Sequence, residues 1–402
     1  MTAIDVRPAG DLDEFRQGLA AIGHFFGWEP SEEEVERFAK LLPVDRMLVA
    51  TDGKAIIAGA GSFPFEMTVP GGMVPTAGVT VVGVLPTHRR RGILTSMMRR
   101  QLDDTRAAGE PLAALWASES TIYGRFGYGI ASFYGEISVP KERTTLAVVG
   151  GPAGDVRIVT AEDALESFPA LYDAVRAERP GMMSRSRDWW EHRRLRNPSD
   201  ESSPLVRALL VLDGVPAGYA LYRVHQKFEA FGSVGHIRVL EALGTSPDAT
   251  REIWRYLLEL DWTSRVEAGL LAADHELLFL VAEPRRLKFM LLDGLWVRLV
   301  DLPAALAARS YTGDDAIVFD VSDAFVPDNE GRWRLSGGQA EPTDDEPDLR
   351  LDVTALGSTY LGGVTFGELL RAGRIEELQD GAAARADTLF RAERAPWCPE
   401  IF

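Results

Sequence analysis

The chain has 402 residues, a length that predicts two or three domains. Of these residues 46% are hydrophobic and 26% are charged, which is the composition of an ordinary folded protein. Its formal charge of −17 opposes binding to nucleic acid or to an anionic membrane and favours a cationic partner, although an acidic surface also serves solubility alone. Because it has one cysteine, Cys398, and six histidines without the spacing of a metal motif, we exclude a disulfide framework and expect no metal.

We expect no secretory signal peptide in the N-terminal region. Asp5, Arg7 and Asp11 interrupt it before an apolar signal-peptide core could form. No apolar run anywhere approaches the roughly 20 residues that a bilayer-spanning helix needs. We therefore expect a cytoplasmic protein with no membrane partner.

The most informative pattern is an apolar strand, at residues 79–84, that leads into a basic loop and then a helix. The loop holds Arg89, Arg90, Arg91 and Gly92, and the helix has apolar residues at helical spacing. The unpaired N–H groups of a first helical turn attract anions, and a glycine lets the backbone approach a phosphate closely. The pattern predicts a phosphate or diphosphate site, and the alternative is a basic surface loop before an ordinary helix. Neither the dinucleotide fingerprint nor the P-loop motif is present.

A second apolar strand follows at residues 112–117 and leads into a glycine-rich turn that contains Tyr123 and Tyr128. Glycine and proline at residues 148–154 then indicate a linker.

The segment after the linker is predicted to be a degenerate second copy of the first unit. A strand at Val239 to Thr245 precedes a helix that opens at Ser246 and carries Ile253, Trp254, Leu257 and Leu258 on one face. This copy lacks the basic glycine loop, so we assign it to structure and to the wall of a substrate cleft. Trp189 and Trp190 either line that cleft or belong to the core.

The last segment is predicted to have strands at Ala316 to Val321 and Leu349 to Val353, and helices at Thr365 to Leu370 and Ala382 to Arg391. The chain ends in Trp397, two prolines, Ile401 and Phe402. Because most termini fray in solvent, this apolar ending predicts a docked tail.

The motif Thr-His-Arg-Arg-Arg-Gly at 87–92, with Ser-Glu-Ser-Thr-Ile-Tyr-Gly-Arg-Phe-Gly-Tyr-Gly at 118–129, resembles the enhanced intracellular survival (Eis) family of GCN5-related N-acetyltransferases (GNATs) from actinobacteria. The resemblance runs from end to end. It implies a mixed α/β architecture of two tandem GNAT-like domains, the second degenerate, and a sterol-carrier-protein-like domain. We predict the boundaries 1–150, 151–290 and 291–402. The resemblance also implies a homohexamer.

The resemblance further implies an acetyl-CoA site and two catalytic residues. Tyr123 is the expected general acid, with Tyr128 as the rival, and the terminal carboxylate of Phe402 is the expected base. The expected contacts to acetyl-CoA, with the backbone N–H of Val82 also facing the oxyanion, come from Val82, Gly83, Val84, Arg89, Arg90, Arg91, Gly92, Ile93 and Ser118.

The acceptor is less closely defined. By family position the acceptor contacts are His24, where an acidic residue is usual, Phe38, and Glu400, which is displaced by one residue. Val81 replaces an aromatic residue of the family. We expect direct acetyl transfer to an amine of an aminoglycoside, a polyamine or a lysine side chain. The alternatives are a silent CoA-binding sensor and a lipid-carrier or interaction protein.

Overall fold

A computed structural model describes residues 4–143, 145–147, 154–198, 201–230 and 232–402. Most of the predicted linker, residues 148–153, lies outside the described residues. In the described ranges, no helix combines the length and the apolar character needed to cross a membrane.

The helices are α1 (Leu12–Phe26), α2 (Glu32–Leu41), α3 (Ile93–Ala107), α4 (Ser120–Tyr123), α5 (Ala161–Arg176), α6 (Arg187–Trp189), α7 (Pro247–Glu259), α8 (Leu277–Leu280), α9 (Leu302–Ala307), α10 (Val353–Thr359), α11 (Phe366–Arg371) and α12 (Ala382–Phe390). The strands are β1 (Ile4–Pro8), β2 (Met47–Asp52), β3 (Ala55–Val69), β4 (Gly72–Val84), β5 (Leu112–Trp116), β6 (Gly129–Ile130), β7 (Phe133–Pro140), β8 (Asp155–Ile158), β9 (Val206–Leu212), β10 (Val215–His225), β11 (Phe228–Glu229), β12 (Gly232–Ser233), β13 (His236–Gly244), β14 (Arg265–Ala272), β15 (Met290–Asp293), β16 (Leu295–Leu299), β17 (Ile317–Ser322), β18 (Gly331–Ser336), β19 (Gln339–Pro342), β20 (Leu349–Asp352) and β21 (Glu376–Glu377).

The chain forms two compact units that exchange segments. The first unit contains residues 1–132, 294–393 and 401–402, and the second contains residues 133–293 and 394–400. These two units do not correspond one to one with the three predicted domains, whose boundaries at residues 150 and 290 stay a prediction. Strand β7 pairs with β14 and β15 in the second unit, whereas β16 pairs with β5 and β6 in the first. Strand pairing is non-local, so the local composition on which the predicted boundaries rest does not reveal it.

The first unit is built on a sheet with the order β1-β2-β3-β4-β5-β16-β6. Helix α3 packs Met97, Met98 and Leu102 into the clusters of apolar side chains against this sheet. A second, five-stranded sheet has the order β19-β18-β17-β20-β21. The rings of Phe319 and Phe366 stack in its core, and Phe390 meets both rings edge-on. Strands β17 and β20 and helices α11 and α12 confirm the elements predicted there within one residue at each end.

The second unit is built on a sheet with the order β15-β7-β14-β13-β10-β9-β8. Helix α7 buries Ile253, Trp254, Leu257 and Leu258 against it, which confirms the predicted amphipathic helix. Trp190 is also buried in this unit, against Tyr172 and Tyr219, so its side chain belongs to the core.

Candidate active site

Strand β4 contains a β-bulge at the position where the sequence predicts cofactor contacts. Gly59 pairs with Gly83 and Gly61 pairs with Thr80, so β4 has one residue more than β3 in this interval. Val81 lies there with φ 48°, a backbone conformation that is rare for a β-branched residue. A bulge turns the local backbone out of the ladder, which changes where the peptide groups around Val82 point.

The parallel ladder between β4 and β5 ends just before this bulge. It consists of the pairs Thr76–Leu112, Ala77–Ala113 and Gly78–Ala114, after which β4 continues to Val84 beside β3 alone. We call the end of this ladder the first fork. Past it, the β5-facing edge of β4 at 79–84 makes no strand ladder within the described residues, so its peptide groups can pair with an extended ligand.

The loop after β4 leaves the first turn of α3 accessible to an anion. Arg90 (φ 62°) and Gly92 (φ 79°) both adopt left-handed conformations, and Gly92 is the residue that caps α3. No side chain of the described residues caps this helix, so the N–H groups of its first turn are available to a ligand. Arg91 donates to Asp52 at 3.1 Å, and the Arg89 guanidinium lies 5.6 Å from the centre of the Phe25 ring.

Tyr123 ends the short helix α4 and is buried in one apolar cluster with Val79, Val82 and Leu94. Burial, together with the neighbouring Glu119, raises the pKa of Tyr123 above its ordinary value, which keeps the phenol protonated. The structure thus brings the predicted acid to the first fork.

Tyr128, the rival acid, lies deeper than Tyr123. The centres of the two rings are 6.1 Å apart, Tyr128 is fully buried, and its hydroxyl has no hydrogen-bond partner among the described residues. Burial raises the pKa of Tyr128 as well. Complete burial separates its hydroxyl from any ligand, so the geometry favours Tyr123.

Phe402 is docked in the first unit, as the apolar ending predicts for the tail. Its ring centre lies 5.1 Å from that of Phe65 and 6.4 Å from that of Phe63, and Phe38 lies 5.5 Å from Phe63 in the same aromatic row. A Cβ at Gly78 would come within 2.4 Å of the Phe65 ring and 3.3 Å of the Phe402 ring, so only glycine leaves room for both. Gly78 is the last residue of β4 in the ladder with β5, which places Phe402 at the first fork.

Two predicted acceptor contacts, His24 and Glu400, are in other surroundings, and Ser118 is exposed beyond the end of β5. His24 is exposed in the last turn of α1, with its ring 5.7 Å from that of Phe25. Glu400 requires a correction, because its side chain is only 2% exposed and accepts from Arg185 at 2.7 Å within the second unit. A carboxylate that is buried and paired in this way is not available to an amine substrate.

The surface of the second unit brings together Asp188, Glu191 and His192, whose potential ligand atoms lie within 4.8 Å of one another. Glu191 already pairs with Arg187 at 2.7 Å. Exposed groups of this kind are common without an ion, so the expectation of no metal stays a prediction.

Sequence reasoning missed the bulge at Val81, the close approach of the Phe402 ring to Gly78 and the buried network around Arg185. The sequence offered no signal for Gly78, because it directly precedes the strand predicted at 79–84. The local sequence does not predict that Arg185 is buried in an ion-pair network, because its partners Glu241 and Glu400 lie 56 and 215 residues away.

The bulged strand, the open ladder and the uncapped helix define a GNAT-type acyltransferase site. Comparison with known families agrees, since residues 5–131 and 181–299 each match an acetyltransferase (GNAT) domain and residues 302–399 match a sterol carrier protein domain. The predicted succession of two GNAT domains and a sterol-carrier-protein domain is confirmed.

Full-length relatives give the family. An uncharacterized N-acetyltransferase of Streptomyces coelicolor is 44% identical over 97% of this chain and 98% of its own. N-acetyltransferase Eis of Mycobacterium tuberculosis is 34% identical over 87% of this chain and 89% of its own. The crystal structure of Eis1 from Mycobacterium abscessus superimposes with a TM-score of 0.88 at 35% identity and covers 99% of this chain and 100% of that one. The chain belongs to the Eis family of N-acetyltransferases and is an acetyltransferase, a class of enzyme that uses acetyl-CoA.

Proposed function

We propose that this chain transfers the acetyl group of acetyl-CoA directly to an amine of a small cationic acceptor, such as an aminoglycoside, a polyamine or a lysine side chain. The observation that carries the proposal is the convergence on one fork of a bulged strand edge, an uncapped helix start, Tyr123 and the C-terminal residue Phe402. The formal charge of −17 supports a cationic acceptor.

In this proposal the diphosphate of acetyl-CoA binds at the start of α3. The N–H groups of Ile93 and its neighbours, with Arg89, Arg90 and Arg91, supply donors, and Gly92 permits the close approach. The pantetheine arm pairs with the free edge of β4 at Val82, Gly83 and Val84, and Ser118 contributes a further contact. Asp52 holds Arg91 beside the loop, so this arginine is already oriented.

The transfer forms a carbon–nitrogen bond and breaks the carbon–sulfur bond of the thioester. The neutral amine attacks the carbonyl carbon, and the backbone N–H of Val82 binds the oxygen on which negative charge develops. The proton that the amine loses passes to the terminal carboxylate of Phe402 or, through it, to water. Tyr123 donates its phenolic proton to the departing thiolate, whose ordinary pKa of about 8–9 lies below that of a phenol.

The terminal carboxylate acts mainly by holding the acceptor amine. A carboxylate with an ordinary pKa near 3.5 is too weak a base for a free ammonium whose pKa is about 10, so the acceptor reacts from its neutral fraction. The carboxylate accepts a proton only after the new carbon–nitrogen bond has made the nitrogen acidic. The aromatic row that contains Phe38 and Phe402 offers ring faces to a cationic acceptor, an interaction worth about 0.5–2 kcal/mol. His24, near the arginine loop, is proposed as an outer acceptor contact.

The proposal is tested by release of CoA thiol from acetyl-CoA with kanamycin, spermidine and a lysine peptide as acceptors. We expect amine-dependent release by the intact chain and a loss of about 100-fold in a chain that ends at Ile401. Phe402→Leu keeps a terminal carboxylate at the same position and serves as the matched control, with a loss of less than about tenfold. Acetyl-CoA binding without release by any amine would contradict the proposal and favour a CoA-binding sensor.

A further inference from the structure

The second unit contains its own fork, built like the first. The parallel ladder between β13 and β14 ends at the pair Val239–Ala268. Beyond that pair, β13 continues beside β10 and β14 continues beside β7, and Leu240 is an extra residue in β13. We call this point the second fork. Its strands and bulge repeat the arrangement that, in the first unit, leaves a strand edge open.

The C-terminal segment fills the second fork. The indole N–H of Trp397 donates to the carbonyl of Leu270, on β14 beyond the end of the ladder, at 2.5 Å. The Trp397 ring is buried in one apolar cluster with Leu243 of β13 and Ala272 of β14, the two strands that separate at the second fork. The backbone N–H of Trp397 also donates to Pro180 at 2.8 Å.

Three residues further on, Glu400 enters a buried charge network. The side chain of Arg185 is fully buried and donates through Nε to Glu400 at 2.7 Å and through Nη1 and Nη2 to Glu241 at 2.9 and 2.6 Å. Arg194 donates to Glu241 at 2.9 Å, and the Tyr219 hydroxyl donates to it at 2.5 Å. The guanidinium plane of Arg185 therefore bridges a carboxylate of β13 and a carboxylate of the tail.

Such a network specifies position more than it adds stability. A buried ion pair contributes little compared with an apolar contact of the same size, because both charges lose their hydration. A slip of the tail by one residue, however, would remove Glu400 from Arg185 and leave a buried charge partly unpaired, which is costly. The network consequently defines one register for residues 397–400.

We propose that Arg185 and Glu400 are positioning residues that set the location of the terminal carboxylate of Phe402. The Cα atoms of Glu400 and Phe402 are separated by two peptide units, at most about 7 Å, so fixing one confines the other. The second GNAT domain, in this view, uses its fork as a socket for the tail in place of a cofactor site. This inference rests on the proposed role of Phe402.

The test is a kinetic cycle with Glu400→Gln, which keeps the size of the side chain and removes its charge. In the intact chain we expect Glu400→Gln to lower kcat about tenfold or more with an unchanged KM for acetyl-CoA. In the chain that ends at Ile401 the same substitution should change kcat less than twofold, because the group that it positions is already gone. Equal losses in both backgrounds would overturn the proposal and assign Glu400 a general structural role.

A second measurement does not depend on turnover. Carboxypeptidase should release Phe402 from folded Glu400→Gln at least about tenfold faster than from the wild type, followed by mass spectrometry, because the register of the tail is lost. Arg157→Met, which removes the exposed ion pair with Asp155, is the matched control and should leave the release unchanged. Release at the wild-type rate would overturn the proposal even if no acceptor amine is found.

If Glu400→Gln does not fold, Trp397→Phe replaces it in both measurements. That variant keeps an aromatic ring in the cluster, although a smaller one, and loses the hydrogen bond to Leu270. We expect a lower kcat and a faster release of Phe402, each by about threefold. No change in either measurement would contradict the proposed role of the second fork in holding the tail.

Discussion

The two GNAT domains open their corresponding helices in opposite ways. Helix α3 begins at Gly92 with no side-chain cap within the described part of the chain. Helix α7 begins at Ser246, whose hydroxyl accepts from the N–H of Ala249, with Pro247 at the first position and Asp248 in the first turn. A proline has no N–H to offer and an aspartate repels anions, so the second helix start is closed to a phosphate.

The two forks also differ in whether they are open to a ligand. The first leaves the edge of β4 free beyond Gly78, whereas the second is filled by Trp397 and by the network that holds Glu400. The comparison shows that a GNAT scaffold retains its strand separation when the phosphate loop is absent, and that the resulting space can hold a segment of the chain itself. Five predictions test this difference between the two domains.

The largest effect on stability is expected for Arg185→Met in the filled fork. The substitution leaves the carboxylates of Glu241 and Glu400 buried without their central partner, which should cost about 3–5 kcal/mol of unfolding free energy. Urea unfolding, with Arg157→Met, which removes an exposed ion pair, as the surface control, measures the loss. Wild-type stability in Arg185→Met would show that the network does not hold the second unit together.

Acid should weaken the same network. Burial alone would raise the pKa of Glu241, but Arg185 and Arg194 lower it to about 2, beneath the ordinary value of about 4.3. The stability that this carboxylate contributes is present above about pH 4.3 and is lost as the pH falls towards about 2. Unfolding free energies across this window should fall less steeply in Glu241→Gln than in the wild type, and parallel pH profiles would contradict the assignment.

At the open fork, Tyr123→Phe should lower kcat about 100-fold, equivalent to about 2.7 kcal/mol of the activation barrier, because the thiolate loses its proton donor. Binding of acetyl-CoA should change little. Tyr128→Phe is the matched substitution, since it removes a hydroxyl that makes no hydrogen bond among the described residues. A large loss in Tyr128→Phe with normal turnover in Tyr123→Phe would reverse the two assignments.

Gly92→Ala tests the open helix start. A left-handed alanine costs about 1–2 kcal/mol, and relief of this strain would move the N–H groups of the first turn away from the diphosphate. We expect acetyl-CoA to bind about tenfold more weakly by calorimetry. Unchanged affinity would mean that the loop geometry at Gly92 does not serve the cofactor.

The smallest effect is expected for Ser246→Ala, the corresponding change at the closed helix start. Loss of the hydroxyl cap should cost about 1 kcal/mol of unfolding free energy. Acetyl-CoA affinity and turnover should remain at wild-type values. An altered affinity would indicate that the second helix start takes part in cofactor binding after all.

The sequence was most informative where the chemistry is local. The strand before the arginine loop, Gly92 at the helix start and the amphipathic face of α7 all follow from residues close together in the chain, and the structure contains each of them. The docked tail was also predictable, because apolar side chains at a terminus need a partner.

Long-range pairing was less accessible. Strand β16 joins the first sheet from a position about 180 residues after β5, and the tail carries Glu400 into the core of the second unit. The acceptor assignment of Glu400 failed for this reason, since family position alone does not reveal that Arg185 already binds its carboxylate. The position of the Phe402 ring beside Gly78 likewise depends on ring contacts that no local pattern encodes.

The most direct test of the account is the stoichiometry of acetyl-CoA binding to the intact chain, measured by isothermal titration calorimetry. We expect one molecule per chain, bound at the first fork, and markedly weaker binding when Arg89 and Arg91 are replaced together by alanine. Two molecules per chain, or one that binds equally well after that replacement, would contradict the division into an open fork and a filled one.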